Sequence, residues 1–137
     1  MDKWLITGGS GYLGEAMGNR LLECGASVVN IGRTQPNFCK RNKRAKFFKS
    51  DFYSDKSLLE AVSEAINHLG RVDVLINNSF DFSKNTGFNT DLGRIENIDK
   101  ETFMNGLTSG IYWPTRCSQL VGEHMIKNNK GNIINIA

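Results

Sequence analysis

Cysteine is scarce in this chain, and its placement excludes more than its number does. Cys24, Cys39 and Cys117 are odd in count, lie far apart and form no Cys-x-x-Cys pair. That argues against a disulfide framework and a zinc site, and for a reducing compartment. The two histidines, His68 and His124, have no partner at metal-ligand spacing, so no metal is expected. Both sit in polar, helix-like stretches and read as surface residues. Long hydrophobic runs are missing too: none approaches the roughly 20 residues of a membrane span. The apolar part of Met1 to Thr7 is too short for a signal peptide. A cytoplasmic location with no membrane partner is the expectation. Charge of one sign is also lacking, since 17 basic and 14 acidic residues leave +3, too mild to imply a nucleic-acid partner. With no repeat, low-complexity tract or Pro/Gly/Ser linker, residues 1–137 are expected to form one domain.

What is present suits a soluble globular chain. Its 137 residues are 39% hydrophobic, 23% charged and 9% aromatic, enough for a core without staples. Five strand-like runs alternate with helix-like segments. They are Lys3 to Thr7, Ser27 to Ile31, Ala45 to Lys49, Val72 to Ile76 and Asn132 to Ile136. The second, fourth and fifth carry the apolar density of strands buried on both faces, as parallel strands are.

Between them, Tyr12 to Cys24 places Leu13, Met17, Leu21 and Leu22 on one helix face and stops before Gly25. Ser57 to Leu69 does the same with Leu58, Leu59, Val62, Ala65, Ile66 and Leu69, stops before Gly70, and has Ser54 or Asp55 as a candidate cap. A longer helix is expected from about Asp99 to about Asn128, kinked at Pro114. Ser79 to about Asn97 reads as a long loop, of the kind that is functional or mobile. Strands alternating with helices predict an α/β fold with a parallel sheet and right-handed crossovers.

The sharpest local feature is Thr7-Gly8-Gly9-Ser10-Gly11-Tyr12-Leu13-Gly14, which follows the first strand and opens the first helix. Gly8 permits the tight turn, Gly11 lets the backbone approach a pyrophosphate, and Gly14 lets helix and strand pack closely. The helix N-terminus, with Ser10, Tyr12 and Leu13 beside these glycines, then faces the phosphates. No Gly-Lys-Ser/Thr follows, which excludes the kinase-type phosphate loop. An acid some 20 residues on would hold the ribose hydroxyls of NAD. The second strand instead ends Asn30-Ile31-Gly32-Arg33-Thr34. The Arg33 fork, with Ser10 or Thr34 adding hydroxyls, favours the 2′-phosphate of NADP, with NAD possible. The basic run Lys40, Arg41, Lys43, Arg44 and Lys46 reads as a solvated loop and helix face.

At this point the chain resembles the short-chain dehydrogenase/reductase family along essentially its whole length. The glycine turn matches the family's motif in the TGxxGxxG form of its extended branch. Ile31-Gly32-Arg33 resembles the NADP-type end of the second strand. Ser50-Asp51-Phe52 falls where the family contacts adenine, which implies roles for Asp51 and Phe52. Asn77-Asn78-Ser79-Phe80 resembles the NNAG motif, with Ser for Ala and Phe for Gly, and implies that Asn77, Asn78 and Ser79 lie along the cofactor. Gly131 to Ala137 resembles the strand that leads to the catalytic serine.

The resemblance implies a Rossmann-like, three-layer, doubly wound parallel sheet of order 3-2-1-4-5. It implies a helix asparagine that supports a proton-relay water: Asn105 if the helix carries two extra residues before Gly110, although a plain alignment puts Leu107 there. The family's serine, tyrosine and lysine would come after Ala137. Tyr12, Tyr53 and Tyr112 have no lysine four residues on. The chain is therefore expected to be the cofactor-binding half of a longer reductase, moving a hydride between nicotinamide and a carbonyl or alcohol. The polar loop with Asn85, Asn89, Thr90 and Asp91 suggests a sugar-like substrate. A nucleotide-sugar epimerase or dehydratase, and a non-catalytic dinucleotide-binding module or remnant, remain alternatives. The open edge at Ile133 to Ile136 suggests self-association and a homo-oligomer.

Overall fold

Leu5 and Ile6 are adjacent in the first strand, both fully buried, and belong to two different apolar clusters. Strand side chains alternate faces, so this pair alone requires cover on both sides of the sheet. The computed structural model describes residues 1–137 and supplies that cover. Its strands are β1 (Lys3–Thr7), β2 (Ser27–Gly32), β3 (Ala45–Lys49), β4 (Val74–Asn77) and β5 (Asn132–Asn135). They form one parallel sheet of order β3-β2-β1-β4-β5. The helices are α1 (Tyr12–Glu23), α2 (Asn37–Arg41), α3 (Asp55–Leu69), α4 (Lys100–Leu107) and α5 (Trp113–Lys127). This is the three-layer, doubly wound arrangement.

On one face Leu5, Val29, Ile31 and Leu75 pack against Leu58 and Val62 of α3 and Val121 of α5. On the other, Ile6, Val28 and Ile76 pack against Leu22 of α1 and Phe38 of α2. α3 begins where Ser54 Oγ accepts the Ser57 N–H at 3.2 Å and ends at Gly70 with φ +75°. Of the apolar residues assigned to helix faces, Leu13 and Leu59 prove exposed.

Two elements differ from the sequence expectations, and one side chain of the basic run takes a role that the sequence did not indicate. α2 was not anticipated: it follows Pro36, buries Phe38 and interrupts what read as loop. The basic run around it is exposed, as expected, but Arg44 turns its guanidinium onto Leu22 O at 2.7 Å and Ala26 O at 3.2 Å. It thereby satisfies carbonyls at and just beyond the end of α1. Finally, the long helix runs from Lys100 to Lys127 between the expected ends, Asp99 and Asn128, but its irregularity is a π-turn at Thr108–Tyr112 that joins α4 to α5. That turn lies just before Pro114, not at it. Pro114 has no N–H to offer the Gly110 carbonyl, and the turn ahead of it widens so that Trp113 N–H bonds Thr108 O instead. At the other edge β5 pairs only with β4, leaving Ile134 exposed. No helix is long and apolar enough to cross a membrane.

Candidate functional site

The carboxyl ends of β1, β2 and β4 open into a crevice of about 1300 Å³. Its floor is the turn from β1 into α1. Gly8 sits at φ +68°, and a Cβ there would lie 2.7 Å from Ser79 Oγ. A Cβ on Gly14 would lie 2.6 Å from Gly8 O, so helix and turn touch through backbone. Gly11 is different: its Cβ would meet only Gly8 O at 3.8 Å and otherwise point into open space. The first intrahelical bond is Glu15 N–H to Gly11 O at 2.9 Å, and no side chain caps α1. The N–H groups of Tyr12, Leu13 and Gly14 therefore have no protein acceptor, at the positive end of the helix. Asn30, fully buried in β2, supports the turn by accepting Gly9 N–H on Oδ1 at 2.6 Å.

Around this floor the structure gathers the other sequence-derived candidates. Ser10, Arg33 and Thr34 are exposed at the crevice wall, and Arg33 Nη2 lies 3.9 Å from Asp81 Oδ1. At the end of β3, Asp51 Oδ1 accepts Tyr53 N–H at 3.0 Å, the turn role common for Asp. Its Oδ2 and the Phe52 N–H keep no protein partner, while the Phe52 ring packs edge-on to Trp113 at 5.4 Å. At the end of β4, Thr7 Oγ1 accepts the N–H groups of both Asn78 and Ser79, at 2.9 and 3.0 Å. Asn78 Nδ2 donates to Gly8 O at 3.0 Å, and Asn77 Nδ2 donates to Asn135 Oδ1 at 2.9 Å. The Thr7 and Asn78 bonds fix the β1 turn against the β4 end, and the Asn77 bond ties β4 to β5.

Asn105 is the one candidate that the crevice wall does not include. It lies on α4, and its amide donates to Asn85 O at 3.0 Å. Leu107, its rival in the alignment, is exposed at the end of the same helix.

Sequence reasoning missed Thr7 as a brace, although it stands inside the glycine motif. It also missed Asp81, for which the sequence offers no signal. Asp81 is fully buried and accepts Tyr53 Oη–H at 2.7 Å, Ser83 N–H at 2.9 Å and Asn85 Nδ2–H at 3.4 Å. Burial raises its pKa, but these hydrogen bonds outweigh burial and hold it below the ordinary carboxylate value. Burial first, and the Asp81 carboxylate second, push the Tyr53 phenol up. Tyr112 is also raised, because its hydroxyl donates to Asp55 Oδ1 at 2.9 Å. Both phenols are thus shifted away from the range of a proton donor working near neutral pH.

The model of the family described as short chain dehydrogenase matches residues 3–137. The (2S)-[(R)-hydroxy(phenyl)methyl]succinyl-CoA dehydrogenase subunit BbsD of Thauera aromatica is 29% identical over 140 residues, covering 97% of this chain and 53% of that protein. The short-chain reductase protein NovJ of Streptomyces niveus is 28% identical over 140 residues, covering 97% and 50%. Among solved structures, an apo SCOR enzyme from Clostridium thermocellum superposes with a TM-score of 0.82 at 29% identity, covering 99% of this chain and 54% of that one. The chain spans about half the length of the curated relatives it matches.

Proposed function

The chain belongs to the short chain dehydrogenase family, and from that premise we propose that it is the NAD(P)-binding part of an oxidoreductase that moves a hydride between nicotinamide and a carbonyl or alcohol. The observation that carries this reading is the floor of the crevice. Three backbone N–H groups without acceptors stand at a helix N-terminus, and the absent Cβ of Gly11 leaves open space in front of them. Such a turn at a helix N-terminus is the kind of anion cradle that receives a pyrophosphate. When bound, the nicotinamide supplies or accepts the hydride. The residues of this chain bind and orient it.

Gly8, Ser10, Gly11, Tyr12, Leu13 and Gly14 form the phosphate turn in this reading. Arg33, 64% exposed and only loosely associated with Asp81, is available to a 2′-phosphate, with the Ser10 and Thr34 hydroxyls near. NADP is therefore the proposed cofactor. At the β3 end, Asp51 Oδ2 as acceptor and the Phe52 N–H as donor would hold the adenine. Asn77, Asn78 and Ser79 flank the cofactor along the β4 end. Asn105 takes no relay-water role in this reading: it does not line the crevice, and its amide donates to the carbonyl of Asn85, which does.

Calorimetry tests the reading. Gly11→Val fills the approach without touching the core, so NADP affinity should fall at least about tenfold, roughly 1.4 kcal/mol, with the melting temperature retained. Equal affinity in the variant would show that the phosphates lie elsewhere.

A further inference from the structure

Phe80 stands where the family motif has glycine, and the structure shows what it builds. Its ring packs edge-to-face on Phe82, with centroids 5.0 Å apart, and on Phe88 at 6.0 Å; Phe82 and Phe88 close the triangle at 4.9 Å. All three rings line the same crevice as the glycine turn. They are not tucked into a core: Phe82 is 64% exposed and Phe88 44% exposed. Across from them, Gly110 in the π-turn leaves room against the Phe80 ring, where a Cβ would already be 3.4 Å from Cε2. Ile111 adds an exposed aliphatic side chain to the crevice beside it.

We propose that Phe80, Phe82 and Phe88 form the wall of a substrate subsite that takes an aromatic carbonyl compound, an aryl ketone or aldehyde, beside the dinucleotide. The inference rests on the reading of the crevice as a dinucleotide site and names the substrate class for it. Three arguments support it. The glycine turn and the three rings line one continuous crevice, so a guest at the rings lies beside a ligand held at the turn.

The rings hold one another in edge-to-face contact, so Phe82 and Phe88 are positioned without being buried. A guest ring at 4.5–7 Å completes the same geometry, which favours a flat π face over an aliphatic group of equal area. Finally, of the polar loop residues that suggested a sugar-like substrate, Asn85 alone lines the crevice. Asn89, Thr90 and Asp91 line an adjoining depression of about 740 Å³, which Phe80 and Phe88 also border, and do not reach the crevice.

The test uses 4-fluoroacetophenone as probe, followed by ¹⁹F line broadening with the whole chain and saturating NADP. Calorimetry of NADP without ketone runs as a separate arm. Phe82→Leu and Phe88→Leu keep apolar area and remove one ring each from an exposed position. Each should weaken ketone binding about three- to tenfold, the scale of one aromatic contact, while NADP affinity stays unchanged. Cyclohexyl methyl ketone should compete more weakly than acetophenone, and glucose should not compete.

Equal binding in both leucine variants, equal competition by the cyclohexyl ketone, or no ketone binding would overturn the proposal. So would loss of self-association in Phe82→Leu, read by sedimentation, with ketone affinity unchanged, which would assign the rings to a second copy of the chain. Failure of the NADP arm alone, with ring-dependent ketone binding intact, would reject the dinucleotide reading and leave the aromatic subsite standing.

Discussion

Asp73 and Asp81 are both buried carboxylates, one at the amino end of the sheet and one beyond its carboxyl end, and they are answered differently. Asp73 accepts Lys3 N–H at 2.9 Å and Arg71 Nε–H at 3.0 Å, with Lys130 Nζ 3.3 Å away. Two cations and the first strand close on it, and Asn132 N–H bonds its carbonyl at 2.9 Å to start β5. Asp81 is met by neutral donors, and its nearest cation, Arg33, stands 3.9 Å off and mostly in solvent. The closed end uses its charges on the protein itself. The open end leaves Arg33, three helix N–H groups and three phenylalanine rings without full partners. Such groups are free to meet a ligand.

The comparison can be broken most forcefully at the closed end. Asp73→Ala should cost about 3 kcal/mol, the worth of a lost charge-assisted hydrogen-bond set, read as a shift in the urea midpoint with NADP affinity unchanged. The same carboxylate predicts a pH dependence. Burial pushes Asp73 up, but the Arg71, Lys3 and Lys130 contacts outweigh it and bring the pKa to about 2. A depressed folded pKa contributes stability above the unfolded value, about 3.9, and that contribution is lost as pH falls toward about 2. Melting temperatures measured between those limits should fall in the wild type and fall less steeply in Asp73→Asn. Asp81, also lowered, keeps a residual slope.

Changes at the open end should do the reverse, altering ligand preference and sparing the fold. Arg33→Ala should lose one to two decades of NADP affinity relative to NAD, about 1.5–3 kcal/mol for a charge-assisted bond, with the urea midpoint unmoved. Equal NAD and NADP affinities in the unmodified chain would remove Arg33 from the account. The smallest effect belongs to Tyr53→Phe. It deletes one hydrogen bond to Asp81, so the cost should be about 1 kcal/mol, and the pKa of Asp81, followed by carboxyl ¹³C shifts, should rise.

Much of this contrast was legible in the sequence. Runs such as Val28-Val29-Asn30-Ile31 and Val74-Leu75-Ile76 point to buried parallel strands, because they are short, rich in β-branched residues and apolar on both faces. The glycines at 8, 11 and 14 declare the turn, because each spacing answers a separate steric need. All the dinucleotide candidates accordingly meet in one crevice. The unanticipated parts depend on contacts distant in sequence. Phe38 buries against Gly18, which no local pattern links to it. The π-turn is local, but its Trp113 N–H to Thr108 O bond has no residue signature beyond the proline that follows. The partners of Asp81 come from positions 53, 83 and 85, and Asn105 spends its amide on a loop carbonyl 20 residues away.

The contrast between the two ends is tested most directly by an NADP titration of ¹⁵N-labelled chain, following backbone amide shifts residue by residue. The account predicts that the amides of Tyr12, Leu13 and Gly14 move together toward saturation. Those of Lys3, Arg71 and Asn132 at the closed end should stay in place. Saturation without movement at Tyr12, Leu13 and Gly14, or movement centred on the Asp73 end, would contradict it.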